Sequence, residues 1–191
     1  SGTGGVGTYV ECMSRALADR GHEVHVVSCG PDRVAKDFEV GGVQIHHRPL
    51  VSIKGLRRLL PPATADRLLA ALSCWRETRR LALRPDIIET PEWMAEGLFF
   101  ALLRRVPVVT QLHTPHRLLV EYAGDSLSRD DRMADFLERL TARSSRGVTS
   151  PSQLLVDELR NRGWLSAGEV ELIRLPVDPQ LWADVAPVED T

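Results

Sequence analysis

Two regions of the 191-residue chain hold residue types that could do chemistry at the spacing they show. Near the start, Gly2 to Gly7 read G-T-G-G-V-G, a match to the phosphate-cradling pattern G-x-G-x-x-G. Glycines ahead of a helix let an anion approach open backbone N–H groups closely. Further on, P-V-V-T-Q-L-H ends at His113, and D-I-I-E-T-P-E-W carries Glu89, Thr90, Glu92 and Trp93. A histidine and acids at strand ends can hydrogen-bond a polyol, and an indole can stack on one.

The glycine stretch can be tested against the sites that use such loops. A nicotinamide or flavin site also requires an acid about 20 residues on, at the end of the second strand. Here that strand ends at Ser28, Cys29 and Gly30, with Glu23 at its wrong end and Asp32 beyond Pro31. The requirement is not met. A nucleotide-triphosphate loop needs lysine before its threonine, and Gly7 stands there instead. What remains is a helix start that offers N–H groups to an anion, with a ligand-free tight turn as the plainer reading.

The elements that must position these residues alternate along the chain. Apolar residues at 10, 13, 16 and 17 mark a helix over 8–20, with Thr8 and Glu11 in the form of a capping box. Strands are expected over 23–29, 42–48, 86–90, 107–113, 147–150 and 170–175, and helices over 50–84 (broken at Pro61-Pro62), 95–105, 127–146 and 151–162. Strands alternating with helices predict an α/β fold, a Rossmann-like parallel sheet with helices on both faces. Ligands in such folds lie beyond the C-terminal ends of the strands, where Glu89, Thr90, Glu92, Trp93, His113, Thr114 and Ser150 fall. A glycine loop of this kind follows a first strand, so that strand is expected ahead of Ser1. The expected domain is 1–175, and 176–191 reads as a linker toward a further domain.

Composition narrows the classes. The formal net charge of −2 gives no global reason to expect nucleic acid. The three cysteines are far apart, lack C-x-x-C spacing and suit free thiols in a reducing compartment. No apolar run approaches the ~20 residues of a membrane span.

Read together, the segments resemble the N-terminal half of GT-B glycosyltransferases of family 4. G-G-V-G-T-Y-V-E-C-M-S-R-A-L-A-D-R-G-H-E-V-H-V-V-S at 4–28 is similar to that family's glycine loop, first helix and second strand. D-I-I-E-T, P-V-V-T-Q-L-H-T, R-G-V-T-S-P-S and I-R-L-P-V-D follow in the family's order. The resemblance implies a retaining, metal-independent enzyme moving a sugar (a hexose) from a nucleotide sugar to a hydroxyl acceptor, with no other cofactor. It implies that His113 contacts the donor sugar as the catalytic histidine, that Gly4, Gly5, Val6 and Thr114 meet the donor, and that Glu89, Thr90, Glu92, Trp93 and Ser150 line the acceptor side. The family's nucleotide-holding basic pair and acidic motif belong to its C-terminal domain, so this domain alone is expected to be inactive. A cytoplasmic setting follows, without nucleic acid. Alternatives of other classes are an NAD(P)-binding oxidoreductase domain and a non-catalytic Rossmann-like binding module.

The segment 50–84 is unusually basic, with Lys54, Arg57, Arg58, Arg67, Arg76, Arg79, Arg80 and Arg84 against Asp66 and Glu77. A solvated helix face explains this, and peripheral contact with the inner face of a membrane through 54–84 is the alternative.

Overall fold

The computed structural model describes residues 5–32, 34–165, 168 and 170–176. Gly4 and residues 177–191 of the expected linker lie outside the described residues. The first described elements are helix α1 (Gly5–Ala18) and strand β1 (Val24–Gly30). Strands β2 (Lys36–Val40) and β3 (Val43–Pro49) form a hairpin, and β3 lies parallel to β1 in a three-stranded sheet ordered β1-β3-β2. A short helix α2 (Leu56–Leu59) leads into the long α3 (Pro62–Arg80).

The second sheet is all parallel, ordered β4 (Ile88–Pro91), β5 (Val108–Gln111), β6 (Gly147–Ser150) and β7 (Glu171–Leu172). Between these strands run a 3-10 turn (Trp93–Ala95), α4 (Leu98–Leu103), α5 (His116–Tyr122), α6 (Arg129–Ser144) and α7 (Gln153–Asn161). Parallel strands need crossovers, and these helices supply them and flank the sheet. The fold is Rossmann-like α/β, as the alternation predicts. No helix among the described residues is long and apolar enough to cross a membrane.

Several boundaries differ from the sequence expectation for physical reasons. Helix α1 already includes Gly5, so Thr8 lies inside the helix and not at its N-cap position. Strand β2 is absent from the expectation because K-D-F-E-V is an edge strand exposed along its whole length and shows no buried face. Helix α5 is a separate element, divided from α6 by Gly124 at φ 82°. Helix α7 is capped by the Ser152 hydroxyl accepting the Leu155 N–H at 3.2 Å, so Pro151 precedes the helix.

Two clusters form the core. Leu112, Leu118, Val156, Leu159 and Trp164 pack beside β5 and β6, with the Trp164 indole donating to Asp135 at 2.7 Å. Ala71, Ala95, Leu98 and Leu137 join α3, the 3-10 turn, α4 and α6. Helix α3 has no capping side chain of its own; Asp130 of α6 caps it, accepting from the Ala63 and Thr64 amides at 2.7 and 2.9 Å. The cysteines are unpaired, Cys74 buried and Cys12 and Cys29 half-buried.

Helix α4 approaches β4 so closely that a Cβ on Gly97 would sit 2.3 Å from Thr90 Cγ2. Overpacking of this kind costs about 1–3 kcal/mol. Gly97→Ala is therefore expected to lower the urea midpoint by a cost in that range, and adding Thr90→Ala to recover part of it. Additive losses in the double variant would show that this contact is not the cause.

Candidate functional site

The site gathers where β4, β5 and β6 end. Backbone pairing brings these ends level, with Pro91 beside Gln111 and Gln111 beside Thr149. His113 follows β5 by two residues, and its loop leads into α5 at His116.

Two buried carboxylates hold that loop. Glu92 has no exposed surface, and both its oxygens accept the His113 N–H at 2.9 Å. Glu138 of α6, equally buried, accepts the His116 N–H at 2.9 Å and pairs with Arg67 of α3 at 2.8 Å. Each acid thus fixes one end of the segment 113–116. The His116 ring is held in turn by Asp131 at 2.7 Å, and the Thr114 hydroxyl donates to the His113 carbonyl at 2.7 Å. Trp93 lies beneath the Arg67 guanidinium, 5.9 Å from its ring centre.

Helix α1 joins the site through Tyr9. Its buried phenol donates to Glu89 at 2.6 Å, and its ring meets the His113 imidazole edge-on with centres 5.2 Å apart. Burial, then the Glu89 carboxylate, hold the phenol pKa well above its ordinary value, so Tyr9 remains a donor. Gly5 is four residues before Tyr9, one turn away on the same helix face. The glycine end of α1 therefore sits one turn from the aromatic contact with His113.

The electrostatics separate the titratable groups. Burial lowers the His113 pKa, so the imidazole is neutral at physiological pH. Its Nε2 is buried and makes no hydrogen bond among the described residues. Burial pushes the Glu92 carboxyl up to about 8 against the pull of the His113 amide and the amides of Glu92 and Trp93, with Glu138 adding a smaller upward push. Burial also raises Glu96, to about 7.

The expected site residues divide by exposure. Glu89 is exposed although one of its oxygens is taken by Tyr9, and Trp93, His113 and Thr114 are half-buried. Gly5 and Val6 open α1, with Gly5 exposed. Thr90, Glu92 and Ser150 are buried and spent on internal contacts: Thr90 donates to the Pro91 carbonyl, Glu92 takes the His113 amide and Ser150 donates to the Ser152 carbonyl. They hold the site's backbone rather than line its surface. Asp32, the acid nearest to where a ribose would bind, lies 3.1 Å from His47. His25 and His46 stack on each other and His46 binds Asp37, so these rings are structural.

Sequence reasoning missed Tyr9, Glu138 and Arg67. Tyr9 was detectable as the one aromatic among the aliphatic positions of α1. Glu138 falls at a buried position of the otherwise amphipathic α6, a signal that a charge is paired inside.

Glu92 ties stability to pH. The folded chain keeps a proton on this carboxyl that the unfolded chain has released. The associated stability is complete below the ordinary value of 4.5 and lost as pH rises through about 8. Glu92→Gln is expected to remove most of that fall in urea unfolding followed across pH. Glu92→Ala, which leaves the His113 N–H unpaired, is expected to cost about 1–3 kcal/mol at every pH. An unchanged slope in Glu92→Gln would contradict this assignment.

Among curated proteins none matches the chain significantly. The family model described as Glycosyltransferase Family 4 matches residues 3–181. That span takes in the glycine end of α1, Tyr9, the Glu92 and Glu138 carboxylates and the His113 loop, and the chain belongs to Glycosyltransferase Family 4.

Proposed function

We propose that the chain is the acceptor-side half of a retaining, metal-independent hexosyltransferase of the cytoplasm, moving a sugar from a nucleotide sugar to a hydroxyl acceptor. One observation carries the reading: the buried Nε2 of His113 has no hydrogen-bond partner among the described residues. Buried polar atoms are almost always paired, and one left open beside a helix start is accounted for by a ligand that completes it. A hydroxyl of the donor sugar fits, because it can donate to Nε2 or accept from it.

The protonation state supports the same chemistry. Glycosyl transfer builds positive charge at the anomeric carbon and negative charge on the leaving diphosphate. A neutral imidazole orients the sugar without setting a second cation beside the first. The N-terminus of α1 presents N–H groups to the negative end, so Gly4, Gly5 and Val6 meet the diphosphate and Thr114 the donor. Glu89 and Trp93 face the acceptor, a carboxylate for its hydroxyls and an indole for its sugar or apolar face.

A helix N-terminus contributes about 2 kcal/mol at most, whereas enzymes lower barriers by about 8 kcal/mol or more. The remainder is assigned to a donor-binding C-terminal domain, and the 191 residues alone are expected to transfer no sugar. In the full-length protein, assayed against a panel of nucleotide sugars, His113→Ala is expected to reduce kcat by about 100-fold or more. Undiminished kcat in His113→Ala, or appreciable transfer by the 191 residues alone, would overturn the assignment.

A further inference from the structure

A cavity opens at the other end of β4, where Ile88 begins the strand that leads to Glu92. We propose that this face docks on an anionic phospholipid bilayer, admitting an acyl chain to the apolar cavity and placing lipid phosphates against the arginines around it.

The cavity encloses about 260 Å3 between the C-terminal half of α3, α4 and the connection into β4. Trp75, Leu83, Ile88, Phe100 and Leu103 form its apolar lining, and the exposed Arg79 and Arg105 also line it. Arg79 stacks on the Trp75 ring at 5.0 Å, which keeps its guanidinium beside the lining. Large apolar side chains are exposed at and beside it: Ile87, Leu102 and the lining residue Leu103 are 59%, 46% and 48% exposed. Single exposed apolar residues are ordinary, but three flanking an apolar cavity make a surface that water covers poorly.

The charge around this surface is mostly positive. Arg76, Arg79, Arg84, Arg104 and Arg105 cluster in sequence with the lining residues, and none forms an ion pair among the described residues. Arg80 shares Glu77 with Arg48, and Glu77 is buried. The exposed Asp86 is the one carboxylate among residues 78–88. In a chain of net charge −2 this is a local concentration of positive charge.

The combination selects the partner. Apolar side chains that enter the acyl boundary, ringed by arginines that meet anionic headgroups, are what an interfacial surface requires. A nucleic acid would match the arginines but leave the apolar cavity unused. The basic segment seen in sequence is thereby divided. Arg67 is internal, paired with Glu138, and Arg57 is tied to Asp66 on the α2 side. Beside the cavity the unpaired charges are those at the C-terminal end of α3, joined by Arg104 and Arg105 from the end of α4, while the exposed Lys54 and Arg58 lie on the α2 side.

The test mixes the 191-residue chain with vesicles of phosphatidylcholine, with or without phosphatidylglycerol, and a further set whose acyl chains are brominated. The chain should sediment with phosphatidylglycerol vesicles, remain free with pure phosphatidylcholine, and be released by salt. Each headgroup-facing arginine is worth about fivefold in partition, so the exposed-residue double variant Arg79→Glu/Arg105→Glu should weaken it by more than about tenfold. Brominated chains should quench tryptophan fluorescence in the parent and fail to do so in Trp75→Phe. Arg57→Glu/Arg58→Glu should bind like the parent. Several results would each overturn the proposal: no sedimentation with either vesicle, equal sedimentation with both, binding unaffected by Arg79→Glu/Arg105→Glu, or quenching that survives Trp75→Phe. So would loss of binding in Arg57→Glu/Arg58→Glu. Because no sugar transfer is read, failure here leaves the transferase reading untouched.

Discussion

The Glu92 carboxyl buried against the His113 amide is the interaction on which the site depends. It links the end of β4 to the loop after β5, two segments 21 residues apart in sequence. Burying a carboxyl without a cation is costly, and the chain meets the cost by keeping a proton on it to about pH 8. Glu138 does the parallel task at His116 with the other solution, a buried guanidinium from Arg67. Two acids neutralised in different ways thus clamp the two ends of residues 113–116. The His113 ring is left with a fixed backbone and a buried Nε2 that has no partner among the described residues.

The same end of the sheet carries two of the four left-handed non-glycine residues among those described. Met94 and Ala95 both adopt left-handed backbone, with φ of 60° and 52°, immediately after Glu92. Neither is glycine, and such residues persist where their surroundings over-determine them. Ala95 is fully buried in the core between α3 and α6, and its amide donates to the Glu92 carbonyl at 3.0 Å. The tight turn directs Glu92 inward under His113 while Trp93 remains half-exposed. Helix α1 joins the arrangement through Tyr9, whose contacts with Glu89 and the His113 ring tie the helix turn that carries Gly5 to the histidine. On the proposed reading this matters because donor sugar and diphosphate must be held together as charge separates between them.

Much of the fold was legible because it depends on local pattern. The strand over 147–150 coincides with β6, and the β-branched run after His22 gives β1 within a residue. Legibility failed where burial did not follow periodicity. K-D-F-E-V pairs along β3 with every residue exposed, so nothing in its pattern marks a strand. The site divides the same way. His113, Glu89 and Trp93 could be placed at strand ends because topology puts them there. That Glu92, Thr90 and Ser150 turn inward could not be read, because an acid buried on a backbone amide has the same sequence signature as an acid facing solvent. The Tyr9–Glu89 contact spans 80 residues and has no local signal.

The central claim is that a neutral His113 completes its hydrogen bonding on a donor sugar. The most direct measurement is the nitrogen NMR signal of the His113 imidazole in the full-length protein, assigned by its loss in His113→Ala. The account predicts a neutral ring at physiological pH whose Nε2 signal shifts when the nucleotide sugar binds. The bare nucleotide diphosphate should leave it largely in place. A charged ring, or an Nε2 signal that does not move while the donor is bound, would contradict it.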